Sequence, residues 1–113
     1  TGKYLINSKA TREYIKKSKS YYVEQTERFI ELTKDLPKPL HISFYFIRNS
    51  RRRFDYINPA QTVQDLMVKY DWIEDDDVYN LVPYFHGYHV DKENPGVIIR
   101  ILKNDTTEKH TQD

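Results

Sequence analysis

The feature that most constrains this chain is a single abrupt change of hydrophobic period at Leu36-Pro37-Lys38-Pro39. Before it, Ile15, Tyr22 and Phe29 recur every seven residues, with Val23 and Ile30 widening the stripe, which predicts a helix from Lys9 to Thr33. After it, Leu40, Ile42, Phe44 and Phe46 alternate with His41, Ser43 and Tyr45, the period-two pattern of a half-buried strand. The prolines mark the break, because proline cannot continue a helical ladder and biases its predecessor away from helix. A one-sided helix joined to a one-sided strand must bury its apolar face against a neighbouring layer.

Further elements follow from local chemistry. Asn58 and Pro59 read as a helix start, with Asn capping free N–H groups and Pro at the first helical position. Val63, Leu66, Met67 and Tyr70 then give that short helix one apolar face. Val78–Val82 is a candidate strand, Gly96 closes a turn running from Asp91 through Pro95, and Val97–Leu102 is the last strand. From Thr106 the sequence is a polar tail, expected to fray. The order α-β-α-β-β predicts an α/β (α+β) two-layer fold with a mixed sheet and helices packed on one face. It fills one domain over residues 1–105 with a tail at 106–113, and contains no repeat or linker.

Composition removes several classes. The 113 residues carry 18 Lys+Arg against 17 Asp+Glu, a net +1, so the whole chain is no polybasic coat. Charged residues make up 31%, and no apolar run approaches the ~20 residues a spanning helix needs, so no membrane partner is expected. Aromatics at 14% argue against disorder. No cysteine is present, which removes thiolate metal sites and Cys nucleophiles. Thr1 begins neither a charged nor an apolar leader, which makes a cytoplasmic setting the expectation; since Thr1 is not Met, the native product can extend upstream. There is no Ser-centred triad motif, P-loop or G-x-G-x-x-G, so acyl transfer and nucleotide binding lack support.

Overall neutrality hides segregated charge. Lys16, Lys17 and Lys19 belong to a basic N-terminal stretch, and Arg48, Arg51, Arg52 and Arg53 form a second block. The acids gather as Asp71, Glu74, Asp75, Asp76 and Asp77. Asp55 precedes the second helix, and the acid run returns one helix later; if the chain doubles back, the two can meet. Carboxylates beside arginines suit metal-assisted phosphodiester cleavage, in which Mg²⁺ takes one or two carboxylates plus substrate phosphates. By residue type alone, such an acid run is more often a solvated turn, and an arginine block a soluble sheet edge.

The segment from Lys3 to Leu102 resembles the RusA family of Holliday-junction resolvases, small homodimeric endonucleases of bacteria, phages and prophages. The family has an arginine-rich strand end, then Asp-x-Asp-Asn-x-x-Lys opening a helix, an Asp within it, and an Asp-Asp pair before a strand. Here stand Arg51-Arg52-Arg53, Asp55-Tyr56-Ile57-Asn58-Pro59-Ala60-Gln61, Asp65, and Asp75-Asp76. The resemblance implies a homodimer nicking branched DNA in recombination and repair. Asp55 with Asp75 or Asp76 would be catalytic ligands of Mg²⁺ (or Mn²⁺), with Asn58 and Asp65 in support. Arg51, Arg52, Arg53, Lys16, Lys17 and Lys19 would hold phosphates, contacts that position DNA without reading sequence. Two positions depart from the motif: Ile57 replaces its second Asp and Gln61 its Lys. Loss of that carboxylate leaves two further readings, a branched-DNA-binding module without cleavage and a small mobile-element scaffold protein.

Among the remaining residues, His86 and His89 form an H-x-x-H pair. In an extended segment, positions three apart face opposite ways, which speaks against zinc. Tyr21, Tyr22, Tyr79, Tyr84 and Tyr88 can stack on unpaired bases or simply half-bury their rings. Trp72 is expected as a core or dimer anchor.

Overall fold

A computed structural model describes residues 9–103, and every structural statement below concerns those residues. Two helices cover one face of a three-stranded mixed sheet: α1 (Lys9–Thr33), β1 (Leu40–Arg48), α2 (Ile57–Lys69), β2 (Leu81–Val90) and β3 (Gly96–Leu102). The strand order is β2-β1-β3, with β2 parallel and β3 antiparallel to β1. A parallel pair cannot be closed by a hairpin, and α2 supplies the crossover between β1 and β2. The two-layer α+β architecture and its element order follow the sequence expectation.

The period change at 36–39 does what its chemistry dictates. Leu36 N–H closes the helix end on the Thr33 carbonyl at 3.0 Å, and the Lys38–Pro39 bond is cis where the chain turns into β1. Leu40, Ile42, Phe44 and Phe46 all point into the core, against Tyr22 and Phe29 of α1 and Ala60, Val63, Leu66 and Met67 of α2. The α1 stripe runs differently at its margins: Ile15 packs against the core as expected, Val23 and Ile30 are about half exposed, and Tyr14 joins the core side.

Two expectations at element ends are corrected. Asn58 does not cap α2, which begins at Ile57. The Asp55 carboxylate accepts the Ile57 N–H at 3.1 Å, and Pro59 sits inside the first turn, where its missing N–H removes no intrahelical bond. Of the expected strand Val78–Val82 only Leu81 and Val82 are strand, because β2 begins at Leu81, and Val78 and Tyr79 project outward from a turn. Asp77 builds that turn, its carboxylate accepting the Tyr79 N–H at 3.2 Å and the Asn80 side-chain amide at 2.8 Å. Local hydrogen bonding by Asp thus outcompetes the strand propensity of Val and Tyr.

The end of α2 fixes how the helices sit together. Trp72 N–H bonds the Met67 carbonyl at 2.8 Å and Asp71 N–H the Val68 carbonyl at 3.1 Å, a Schellman closure with Asp71 left-handed at φ 67°. Trp72 is thereby swung into the core, where it stacks on Phe29 at 4.8 Å and donates its indole N–H to the Tyr22 carbonyl at 2.9 Å. The Thr26 hydroxyl reaches the Tyr70 carbonyl at 2.9 Å, a second tie between α1 and the end of α2. Trp72 is a core anchor.

β2 runs ten residues, continuing past the expected end at Val82 through Pro83 and Gly87. An edge strand tolerates Pro83. A bulge between Phe44 and Tyr45 inserts His86 as an extra residue, so Phe44 pairs with Phe85 but Tyr45 with Gly87. The polar tail from Thr106 lies outside the described residues.

Candidate nucleic-acid interface and carboxylate site

The loop joining β1 to α2 is pinned by aromatic rings. Phe54 meets Phe46, Tyr56 and Tyr88 at centroid distances of 6.5, 5.2 and 4.9 Å, and Tyr56 stacks on Phe85 at 5.4 Å. Arg48 lies over the Phe54 ring at 4.1 Å and donates to the Arg52 carbonyl. With its apolar residues drawn inward, the loop turns Arg51, Arg52 and Arg53 to solvent beside the start of α2. Sequence reading missed this cluster, although Phe54 and Tyr56 flanking Asp55 were a usable signal.

The three candidate lysines of α1 are all exposed. Successive positions on a helix rotate by about 100°, and of the three only Lys17 lines a cleft of about 410 Å³ between α1, the end of β1 and the start of α2. Arg48, Asn49, Phe54 and Pro59 share that cleft. Burial pushes the Tyr22 phenol, and less strongly that of Tyr14, above the ordinary range. The two hydroxyls, 2.7 Å apart, form a neutral hydrogen bond near neutral pH rather than a proton acceptor for chemistry.

The acid run does double back. The Gln61 amide donates to Asp65 Oδ1 at 2.8 Å and to Asp76 Oδ2 at 3.2 Å, so one nitrogen joins a carboxylate of α2 to one from the returning loop. The other acids have local duties: Asp75 accepts the Asp76 N–H at 2.8 Å, Asp77 holds its turn, and Asp55 caps Ile57. The carboxylates drawn together are therefore Asp65 and Asp76, and among the described residues no three His, Asp or Glu side chains converge to hold a metal. A pair of carboxylates is still the donor chemistry Mg²⁺ takes when substrate phosphates complete its shell. Asn58 faces solvent, its carbonyl 3.4 Å from the Thr62 hydroxyl, while Ile57 is 63% exposed where the motif places an acid.

The H-x-x-H pair behaves differently from its sequence expectation. The bulge shifts the alternation by one, so His86 and His89 share the sheet face away from the helices. His86 lies 6.3 Å from the Tyr84 ring and His89 Nδ1 is 3.0 Å from the Tyr45 hydroxyl. No family model, curated protein or solved structure matches the chain.

Proposed function

We propose that the chain is a RusA-like endonuclease of branched DNA, working as a homodimer in the cytoplasm and requiring Mg²⁺ or Mn²⁺. The observation that carries this reading is the Gln61 bridge. It brings Asp76 back onto α2, four residues or about 6 Å of helix rise from the end that Asp55 caps. Arg51, Arg52 and Arg53 stand exposed beside that end.

In this reading Asp65 and Asp76 would hold the cation, with Asp55 at the adjoining helix end, and Asp75 shapes the backbone that presents Asp76. The bound cation supplies Lewis acidity and lowers the pKa of an attacking water. Arg51–Arg53 and Lys17 place the phosphodiester. Two-fold symmetry in the protein matches two-fold symmetry in a four-way junction. No described helix is long and apolar enough to cross a membrane.

The test is a synthetic four-way junction with Mg²⁺ or Mn²⁺. Paired nicks near the crossover, lost in Asp76→Asn and Asp55→Asn with binding retained, are expected. Intact junctions at every protein and metal concentration overturn the nuclease.

A second reading, junction binding without cleavage, is favoured by Ile57 and by the Gln61 amide, which occupies the two carboxylates. It predicts salt-sensitive junction affinity, about 0.9 log units per log salt for each phosphate neutralised. In that case Ile57→Asp with Gln61→Lys restores nicking. A chain with no affinity for junction, duplex or single strands is the scaffold alternative.

A further inference from the structure

The sheet face away from the helices is uncovered by any described element, and its composition is selective. None of the three strands contains Asp or Glu. Residues paired across antiparallel or parallel strands share a face, so Tyr45 and Ser43 of β1 are joined there by Tyr84, His89, Ile98 and Arg100. Ser43 is 2% exposed, with Tyr84 and Arg100 its register partners on either side.

Tyr45 is held flat. Gly87, at φ +125°, lies beneath it, and a Cβ there would stand 3.3 Å from Tyr45 Cε1. The ring therefore covers bare backbone of β2, and its hydroxyl is tied to His89 at 3.0 Å. Tyr84 is tied at its hydroxyl, 2.6 Å from His41 Nδ1. Both rings are half-buried and tied at the hydroxyl, Tyr45 beside the His89 ring and Tyr84 beside the His41 ring, each at 5.5 Å. An aromatic face fixed before a ligand arrives loses little side-chain freedom on stacking.

We infer that this face binds single-stranded nucleic acid, with bases stacking on Tyr45 and Tyr84 and phosphates held by Arg100 and the neighbouring imidazoles. Every base has a π-face, so the surface is indifferent to sequence, and a carboxylate-free sheet places no repulsion against a polyanion. An isologous contact with a second copy would instead bring together two copies of the same acid-free, Arg100-bearing patch, with no carboxylate on either side to pair with it. The site lies on the opposite side of the sheet from α2, and it stands whether or not Asp65 and Asp76 serve in cleavage.

Fluorescence anisotropy with a fluorescein-labelled oligothymidylate of about 12 nucleotides tests it. Binding is expected, weakened about tenfold by Tyr45→Ala and unchanged by Tyr45→Phe, which keeps the ring. Arg100→Ala should weaken binding and flatten its salt dependence by about 0.7 log units per log salt. Emission of the buried Trp72 reports folding; should Tyr45→Ala fail to fold, Arg100→Ala at an exposed site decides alone. No binding by the wild-type chain, or affinity equal in wild type, Tyr45→Ala and Arg100→Ala, overturns the inference. So does a dimer dissolved by Tyr45→Ala without oligonucleotide binding, which gives the face to a second copy. Arg51→Ala with Arg53→Ala should weaken junction binding and leave oligothymidylate affinity unaltered, so the two sites fail separately.

Discussion

Gln61 and Asp76, fifteen positions apart, are joined by a hydrogen bond of 3.2 Å, and the same amide nitrogen holds Asp65 at 2.8 Å. A neutral donor thus sits between two acids at a place where a cation would suit them better. Gln61→Lys is expected to raise stability by about 0.5 kcal/mol, the usual scale for exposed pairs, with the gain fading in high salt. Urea titration at low and high salt measures it; a loss of stability would mean that the acids do not face the amine.

Trp72 carries the junction between the two helices. Trp72→Phe keeps much of the ring packing against Phe29 but deletes the indole N–H to the Tyr22 carbonyl, at an expected cost of about 1–2 kcal/mol. Trp72→Ala adds a cavity and should cost about 3–5 kcal/mol. Both are read from chemical unfolding midpoints, followed by circular dichroism because the fluorophore is gone.

Asp71 occupies a left-handed conformation that glycine adopts without strain. Asp71→Gly should stabilise the chain by about 1 kcal/mol, and Asp71→Val should destabilise it by at least as much. Thermal unfolding of the two variants should therefore shift in opposite directions.

Gly87 combines positive φ with the ring of Tyr45 overhead. Gly87→Ala is expected to cost about 1–3 kcal/mol. In Tyr45→Ala the ring contact is gone and only the backbone strain remains, so the same substitution should cost less there. A double-mutant cycle by urea denaturation separates the two contributions.

Asp91 orders the turn into β3 by accepting the backbone N–H groups of Glu93 and Asn94, at 3.0 and 3.2 Å. The Glu93 N–H, ahead of other causes, holds its carboxyl below the ordinary aspartate range. A depressed folded pKa favours the ionised folded state, so this contribution is complete above the usual value of about 3.9 and is lost as pH falls through the lower folded value. Wild type and Asp91→Asn should differ in stability at neutral pH and converge in strong acid.

Much of the framework was legible because it rests on period and breakers. α1, β1 and β3 fall where alternation and proline place them, and the α2 stripe is buried as its spacing requires. What misled was local competition. Asp55 and Asp77 took backbone N–H groups that Asn58 and a Val78 strand were expected to satisfy. A bulge has no signature in hydrophobic period, so the shared face of His86 and His89 was hidden, with Gly87 its one visible mark. The sequence predicts that the acid run returns toward Asp55; the contact it makes is with Gln61 of α2, a residue that stands out in the sequence only as a departure from a motif.

The central position of β1 leaves the sheet with two unlike flanks. On the β2 side, Pro83 lacks a donor and the bulge at His86 breaks the regular spacing, so an incoming strand finds no continuous ladder. On the β3 side, Gly96–Leu102 is short and unbroken, with Arg100 its single charge. Lateral extension, whether by another molecule in assembly or in misassembly, is consequently steered to β3.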